Sequence, residues 1–173
     1  DKNILTAMGC EVELVAGSTM PTWTSMNEKG EPDVAPELWV NTVGPDLLDS
    51  AVAAGRMYVG NEAPVKGLGE GWWITPYTQD ANPELVTVED VIARPDLFPD
   101  KEDPSKGFFM GCPAGWGCQL SSQSLFKAHG MAEKGWILGD PGTSAGLNAA
   151  VAKASEQSEN WFTYYWSPTT FLA

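Results

Sequence analysis

The sequence predicts an α/β fold with a largely parallel sheet. Short apolar segments alternate with segments of helical pattern along the chain, which is the order of elements expected for such a sheet. Proline at predicted first turns and glycine at predicted helix ends divide these segments from one another. The 173 residues are 43% hydrophobic and 19% charged, values typical of a globular protein with a core.

The first third of the chain is predicted to contain three strands and two helices. Alternation of polar and apolar residues favours strands, and Pro21 and Pro45 each suit the first turn of a helix. Gly30 and Gly55 are expected to end those helices. In order, the predicted elements are a strand at 11–15, a helix at 21–30, a strand at 32–40, a helix at 45–54 and a strand at 57–59.

The remainder of the chain shows clearer signals. Thr87 and Asp90 form a capping-box pattern with Asp in place of Glu, which predicts a helix start. Asp140–Ser144 is expected to cap an alanine-rich helix. The predicted elements are an extended segment at 72–77 that crosses between two units, a helix from 88, a surface loop at 99–106, strands at 108–110, 136–138 and 161–166, and helices after 118 and at 144–157.

The charge of the chain excludes two classes of partner. Its formal net charge is −13 and its pI is near 4.2. A surface of this sign repels nucleic acid and anionic membranes, so neither is expected as a partner. No apolar run reaches the roughly 18 residues that a membrane span needs. We therefore predict no stable membrane insertion.

Catalytic chemistry is mostly excluded by the residues that are present. His129 is the only histidine, so a metal site with two histidines cannot form, and no Gly-x-Ser-x-Gly motif accompanies it. Asp33 and Glu37 could act as an acid and base pair, as in glycosidases, but solvated loop carboxylates are the favoured interpretation. We predict that the protein is not an enzyme and that it holds no metal and no cofactor.

A loop with the sequence Gly-Cys-Pro-Ala-Gly-Trp-Gly-Cys occupies residues 111–118 and presents Trp116 just before a predicted helix. The first amides of a helix lack partners and attract anions. Cys112 and Cys118 are close enough in sequence to pair, which would imply an oxidising compartment such as the periplasm. The alternative is a cytosolic protein with three free thiols. Cys10 has no evident partner.

Eight tryptophans are the most distinctive feature of the composition. Several lie at predicted strand ends or in loops, where α/β folds bind ligands. Indole faces attract cations, and above all quaternary ammonium groups. Trp39, Trp116 and Trp166 are predicted to line a site, whereas Trp72, Trp136 and Trp161 are predicted to fill the core.

Two of these motifs carry a family resemblance. The loop at 111–118, together with Tyr-Tyr-Trp-Ser-Pro-Thr at 164–169, resembles the glycine betaine/proline betaine-binding proteins of osmolyte ABC transporters. Glu-Leu-Trp at 37–39 and the segment 140–147 also match the family. The resemblance implies a type II periplasmic binding protein with two lobes, mainly parallel sheets and a ligand cleft between the lobes, incomplete in this chain. Lobe I is expected at 1–74 and lobe II at 75–173.

The resemblance also implies a set of site residues. Its tryptophan box falls on Trp39, Trp116 and Trp166, its loop disulfide on Cys112 and Cys118, and its anion contacts on the amides of Gly117 and Cys118, with Trp23 as a possible fourth wall. Some relatives place a histidine after the first-lobe tryptophan, where this chain has Asn41, Thr42 and Val43. That departure favours a compact methylated amine such as trimethylamine N-oxide, or choline.

The implied function is capture of a small solute outside the cytoplasm. The chain would be the periplasmic, or otherwise extracytoplasmic, binding component of an ABC importer, with the permease subunits as its partners. It would hold glycine betaine, trimethylamine N-oxide or choline by cation–π contacts, and closure of the lobes would complete the box. The alternative is a carbohydrate-binding protein that stacks sugars on its tryptophans.

Overall fold

The structure is a computed structural model that describes residues 2–60 and 69–172. These residues form two compact units. The first unit contains residues 2–60 together with Gly115–Gly117, and the second contains 69–114 and 118–172. The predicted division into lobes at 1–74 and 75–173 stays a prediction, although the segment 69–74 belongs to the sheet of the second unit.

The described part of the first unit has helices as its only regular elements. They are α1 (Lys2–Ala7), α2 (Thr19–Lys29), α3 (Val40–Val43) and α4 (Pro45–Ala53). Helix α2 ends where Gly30 adopts a left-handed conformation with φ 75° and donates its N–H to the carbonyl of Met26. Pro45 lies in the first turn of α4. Both helices predicted for this part of the chain are confirmed to within about two residues.

The three strands predicted for the first unit are wrong. Residues 11–15, 32–40 and 57–59 contain no strand in the structure. Leu14, Val15 and Tyr58 are 71%, 68% and 91% exposed. Alternating apolar residues form a strand only where a neighbouring strand supplies hydrogen-bond partners, and none of the four described strands pairs with these segments.

The second unit contains a four-stranded mixed sheet in the order β1-β4-β2-β3. Its elements are β1 (Gly69–Ile74), α5 (Pro76–Ala81), α6 (Val88–Ile92), a 3₁₀ turn (Pro95–Leu97), β2 (Gly107–Met110), α7 (Gly117–Ala128, with Gly117 counted in the first unit), β3 (Trp136–Gly139), α8 (Ser144–Glu156) and β4 (Phe162–Ser167). Strand β2 pairs in parallel with β3 and β4, while β1 is antiparallel to β4. The predicted α/β class is confirmed, with one antiparallel edge strand.

Aromatic rings fill the core of the second unit. The ring of Phe162 lies 4.7 Å from that of Phe109 and 5.5 Å from that of Trp136, measured between centroids. Trp136 is buried and donates its indole N–H to the carbonyl of Ile92 at 2.9 Å. Trp72 packs against Phe109 at 4.4 Å. The predicted core roles of Trp72 and Trp136 are therefore confirmed.

The predicted capping box is present at the start of α6. Thr87 donates its backbone N–H to the carboxylate of Asp90 at 2.8 Å, and the Thr87 hydroxyl accepts from the backbone N–H of Asp90 at 3.3 Å. The hydrogen bonds from Thr87 lower the pKa of the Asp90 carboxyl. At α8, Thr143 accepts from the N–H of Gly146 at 3.0 Å. Local sequence thus determines where both helices begin.

Candidate functional site

A disulfide closes the loop between β2 and α7. Cys112 and Cys118 are bonded, their Cα atoms lie 5.8 Å apart, and both side chains are buried. Cys10 is an exposed free thiol. The predicted pairing is confirmed, and α7 begins at Gly117, as the loop sequence predicts. The loop therefore leads directly from the end of a core strand into a helix N-terminus.

The tip of this loop is part of the first unit, where it contacts the start of α2. The carbonyl of Gly115 accepts a hydrogen bond from the backbone N–H of Met20 at 3.2 Å. A Cβ atom added to Gly115 would lie 3.1 Å from the Cβ of Ser18, and its φ of +83° is itself strained for other residues. Only glycine allows this close approach to α2, the helix that carries Trp23.

The other side of the tip contacts α3. A Cβ atom on Gly117 would lie 2.7 Å from both the Cβ and the carbonyl oxygen of Thr42. The Thr42 hydroxyl in turn donates to the carbonyl of Trp39 at 2.8 Å. Trp116 therefore lies between two glycines, one against the start of α2 and one against α3. The first unit brings the backbone segments of Trp23, Trp39 and Trp116 together.

The indole of Trp39 is held by an acidic neighbour. Its Nε1–H donates a hydrogen bond to the carboxylate of Glu37, an exposed residue, while the Trp39 side chain is half-buried. Glu37 was considered above as one member of an acid and base pair with Asp33. The structure instead gives its carboxylate a role in orienting an aromatic ring. Trp23 is also half-buried, and its Nε1–H has no hydrogen-bond partner among the described residues.

Trp166 lies near the end of β4 in the second unit, among other aromatic rings. Its ring centroid is 4.7 Å from that of Tyr165 and 6.4 Å from that of Tyr164. Across the antiparallel pair, Trp166 lies directly opposite Glu70 of β1. The hydroxyl of Tyr164 donates to the Glu70 carboxylate at 2.7 Å. A carboxylate therefore lies beside the aromatic end of this strand.

Other kinds of site are not evident in the described part of the chain. Within residues 2–60 and 69–172, no group of three or more His, Cys, Asp or Glu side chains is placed to hold a metal ion. None of the helices in those ranges has the length and apolar composition that a membrane span requires. His129 lies beside the carboxylate of Glu89, with Nδ1 and Oε1 3.8 Å apart. The aromatic groups around the disulfide loop and those at the end of β4 are thus two separate candidate regions for ligand binding, one in each unit.

A comparison with known protein families identifies the family of this chain. The model of the OpuAC family, the substrate-binding domain of the ABC-type glycine betaine transport system, matches residues 1–173. The chain belongs to this family. A comparison with curated proteins found no match.

Solved structures share the fold of this OpuAC chain at low sequence identity. The glycine betaine, L-proline-binding protein ProX from Borrelia burgdorferi matches with a TM-score of 0.72 and 18% identity, over 97% of this chain and 57% of that chain. A choline-binding protein of an ABC transporter, solved in an unliganded, semi-closed conformation, matches with a TM-score of 0.58 and 18% identity, over 97% and 54%. The chain therefore has the fold of a periplasmic binding protein and spans little more than half the length of these relatives.

Sequence reasoning missed one pair of residues in this OpuAC chain. Glu70 lies in a glycine-rich stretch, where it resembles a turn residue, and Tyr164 was noted only as part of a family motif. Alternation along β1 would have placed Glu70 on the same face as Trp72. Its partner on β4 could not be predicted, because the register of pairing depends on residues far apart in the chain.

Proposed function

We propose that this chain is part of the extracytoplasmic solute-binding component of an ABC importer, which captures a quaternary ammonium or methylated amine such as glycine betaine, trimethylamine N-oxide or choline. Family membership supports the solute-binding role. One observation carries the site: Gly115 and Gly117 pack against Ser18 and Thr42, so that the segments bearing three tryptophans meet at the loop tip. In this proposal the protein is a binding protein and not an enzyme.

The ligand cation is held by indole faces. A fully methylated ammonium group has no N–H to donate, so it gains little from hydrogen bonding and much from the negative face of an aromatic ring. Each face contributes about 0.5–2 kcal/mol, depending on how completely water is excluded. We assign these faces to Trp39, Trp116 and Trp166, with Trp23 as an additional wall.

The anionic or polar end of the ligand is assigned to the start of α7. Gly117 and Cys118 are the first residues of this helix of 12 residues. Backbone N–H groups in a first helical turn lack intrahelical partners, and the helix dipole favours negative charge there. The Cys112–Cys118 disulfide holds these amides next to Trp116. The loop would thus contact both ends of one small ligand.

The disulfide also supports the proposed location, and family membership supports the proposed partners. Disulfides persist in oxidising compartments and are rare in the cytosol. We therefore assign the protein to the periplasm or another extracytoplasmic space. Its partners would be the permease subunits of the importer, to which it would deliver its ligand.

Ligand titration of the intact protein tests this proposal. Isothermal calorimetry and tryptophan fluorescence should show saturable binding of at least one of glycine betaine, trimethylamine N-oxide and choline. Trp116→Ala should weaken that binding about 2- to 30-fold, because it removes an indole face worth about 0.5–2 kcal/mol. Trp73→Ala, which removes an indole bonded to the carbonyl of Tyr165, should retain the affinity.

Two results would contradict the proposal. Binding of sugars alone would favour a carbohydrate-binding protein, because sugars also stack on indole rings. Unchanged methylated-amine affinity in Trp116→Ala would show that the loop tryptophan is not part of the binding site.

A further inference from the structure

A carboxylate lies next to the aromatic end of β4. Glu70 on β1 is half-buried and lies directly opposite Trp166 in the antiparallel pair. Directly opposed residues share one face of the sheet, with Cβ atoms about 4.5–5.5 Å apart. The Glu70 side chain therefore lies on the same face of the sheet as the ring of Trp166.

The position of this carboxylate is fixed by Tyr164. The Tyr164 hydroxyl donates to Glu70 at 2.7 Å, and its side chain is 5% exposed. Burial, together with the neighbouring carboxylate, raises the pKa of Tyr164, so the phenol stays protonated and remains a donor. Because the donor is buried, this hydrogen bond holds the Glu70 carboxylate beside Tyr164.

A second carboxylate lies beside another proposed aromatic wall. The indole N–H of Trp39 donates to Glu37 in the first unit. Each of these two tryptophans thus has one acidic neighbour, and the chain as a whole carries a net charge of −13. The electrostatic environment of both rings favours positive charge.

We propose that Glu70, held by Tyr164 beside Trp166, makes the site select ligands with a net positive charge, such as choline, over zwitterions such as glycine betaine. This inference rests on the proposed function. Both ligands carry a trimethylammonium group, which the carboxylate attracts. Glycine betaine also carries its own carboxylate, which Glu70 repels. The electrostatic contribution of Glu70 to the binding free energy is therefore smaller for glycine betaine than for choline. Trimethylamine N-oxide, with no net charge, is expected to gain less than choline for the same reason.

Calorimetric titration of the intact protein with all three ligands tests this selectivity. The wild-type protein should bind choline about tenfold more tightly than glycine betaine. Glu70→Gln keeps an acceptor for the Tyr164 hydroxyl but removes the charge. It should lower the ratio of choline to glycine betaine affinity by about tenfold.

Two further variants distinguish the effect of the Glu70 charge from the effects of its restraint by Tyr164 and of removing any exposed carboxylate. Tyr164→Phe leaves the carboxylate in place but unrestrained, so it should reduce the same ratio by a smaller factor. Glu133→Gln removes one exposed carboxylate outside the β1–β4 pair and should leave the ratio unchanged. Thermal unfolding of each variant would show whether the fold is retained.

The outcomes distinguish this inference from the function on which it rests. If glycine betaine binds as tightly as choline, the proposed selectivity is absent. If Glu70→Gln folds normally and leaves the affinity ratio unchanged, Glu70 has only a structural role between β1 and β4. In either case the proposed function stands and the selectivity is refuted. If none of the three ligands binds, the proposed function fails and the selectivity fails with it.

Discussion

The glycines on either side of Trp116 illustrate how single residues position this site. At Gly117 the obstacle to a side chain is the backbone carbonyl of Thr42, and a backbone atom cannot rotate away as a side chain can. At Gly115 both the space and the backbone angle exclude other residues. The absence of two side chains is therefore what allows the loop tip that carries Trp116 to lie against Ser18 and Thr42.

Gly117→Ala tests this close approach. The added methyl group would lie 2.7 Å from the Thr42 carbonyl oxygen, so the loop tip must move. We expect a loss of about 1–3 kcal/mol in the free energy of unfolding, measured by urea denaturation, together with weaker ligand binding. Gly69→Ala is the matched control, because nothing lies within 4 Å of its added Cβ. Equal stability of the two variants would contradict the contact.

At the scale of elements, the capping box of α6 should make the stability of the fold depend on pH. The pKa of Asp90 is lowered in the folded protein, so its contribution to stability is present above the pKa of the unfolded chain and is lost as the pH falls through the folded value. Asp90→Asn should therefore be less stable than wild type at pH 7. The difference should begin to shrink below about pH 4 and vanish only once the pH lies below the folded pKa of Asp90, as measured by thermal unfolding.

The control for this prediction is Asp80→Asn, which removes an exposed carboxylate from α5. It should show no comparable change with pH. A difference for Asp90→Asn that persists undiminished in acid would show that the carboxylate charge is not what caps the helix.

The disulfide loop is a second element whose contribution to the free energy of unfolding can be measured. Cross-linking two cysteines six positions apart restricts the unfolded chain, and a loop of this size contributes about 2 kcal/mol. Replacing Cys112 and Cys118 together by serine should lower the free energy of unfolding by that amount and weaken ligand binding. Cys10→Ser, which changes an exposed free thiol, should alter neither quantity. Full stability after loss of the bond would contradict its proposed role.

The sequence predicted the elements of the second unit far better than those of the first. Strand β2 pairs with β3 on one side and β4 on the other, so the apolar pattern and the burial of these strands agree. The segment 11–15 has the same kind of pattern, but Leu14 and Val15 remain exposed. A pattern records which residues favour burial on one side, whereas a strand also requires a partner that the pattern does not identify.

For the candidate site, the residue types could be predicted from the sequence but the long-range contacts could not. Residue type and motif pointed to Trp39, Trp116 and Trp166, and to the disulfide that the structure confirms. The approach of Gly115 to Ser18 was not predictable, because nearly a hundred residues separate them along the chain. Contacts of this kind depend on the folded arrangement and not on local sequence.

At the scale of the whole molecule, negative charge opposes compaction. With a net charge of −13, the folded chain repels itself, and salt screens that repulsion. Raising NaCl from about 10 mM to about 150 mM, which shortens the Debye length from about 30 Å to about 8 Å, should raise the melting temperature at pH 7.

The matched control is the same salt series at about pH 5, where carboxyl protonation begins and the net charge is smaller. The increase in melting temperature should be smaller there. A melting temperature at pH 7 that falls with salt would show that attractive ion pairs, such as Arg94 with Asp96, outweigh the overall repulsion.

The hydrogen bond between Gly115 and Met20 has a consequence for the order of folding. The first unit includes a contact that closes only after residues 61–114 have been synthesised, which takes on the order of 3–10 s at about 5–20 residues per second. Contacts between residues so far apart in sequence also form slowly. During this interval α2 exists without the loop tip that later packs against it. The nascent first unit therefore remains incomplete for seconds after the residues of α2 have been synthesised.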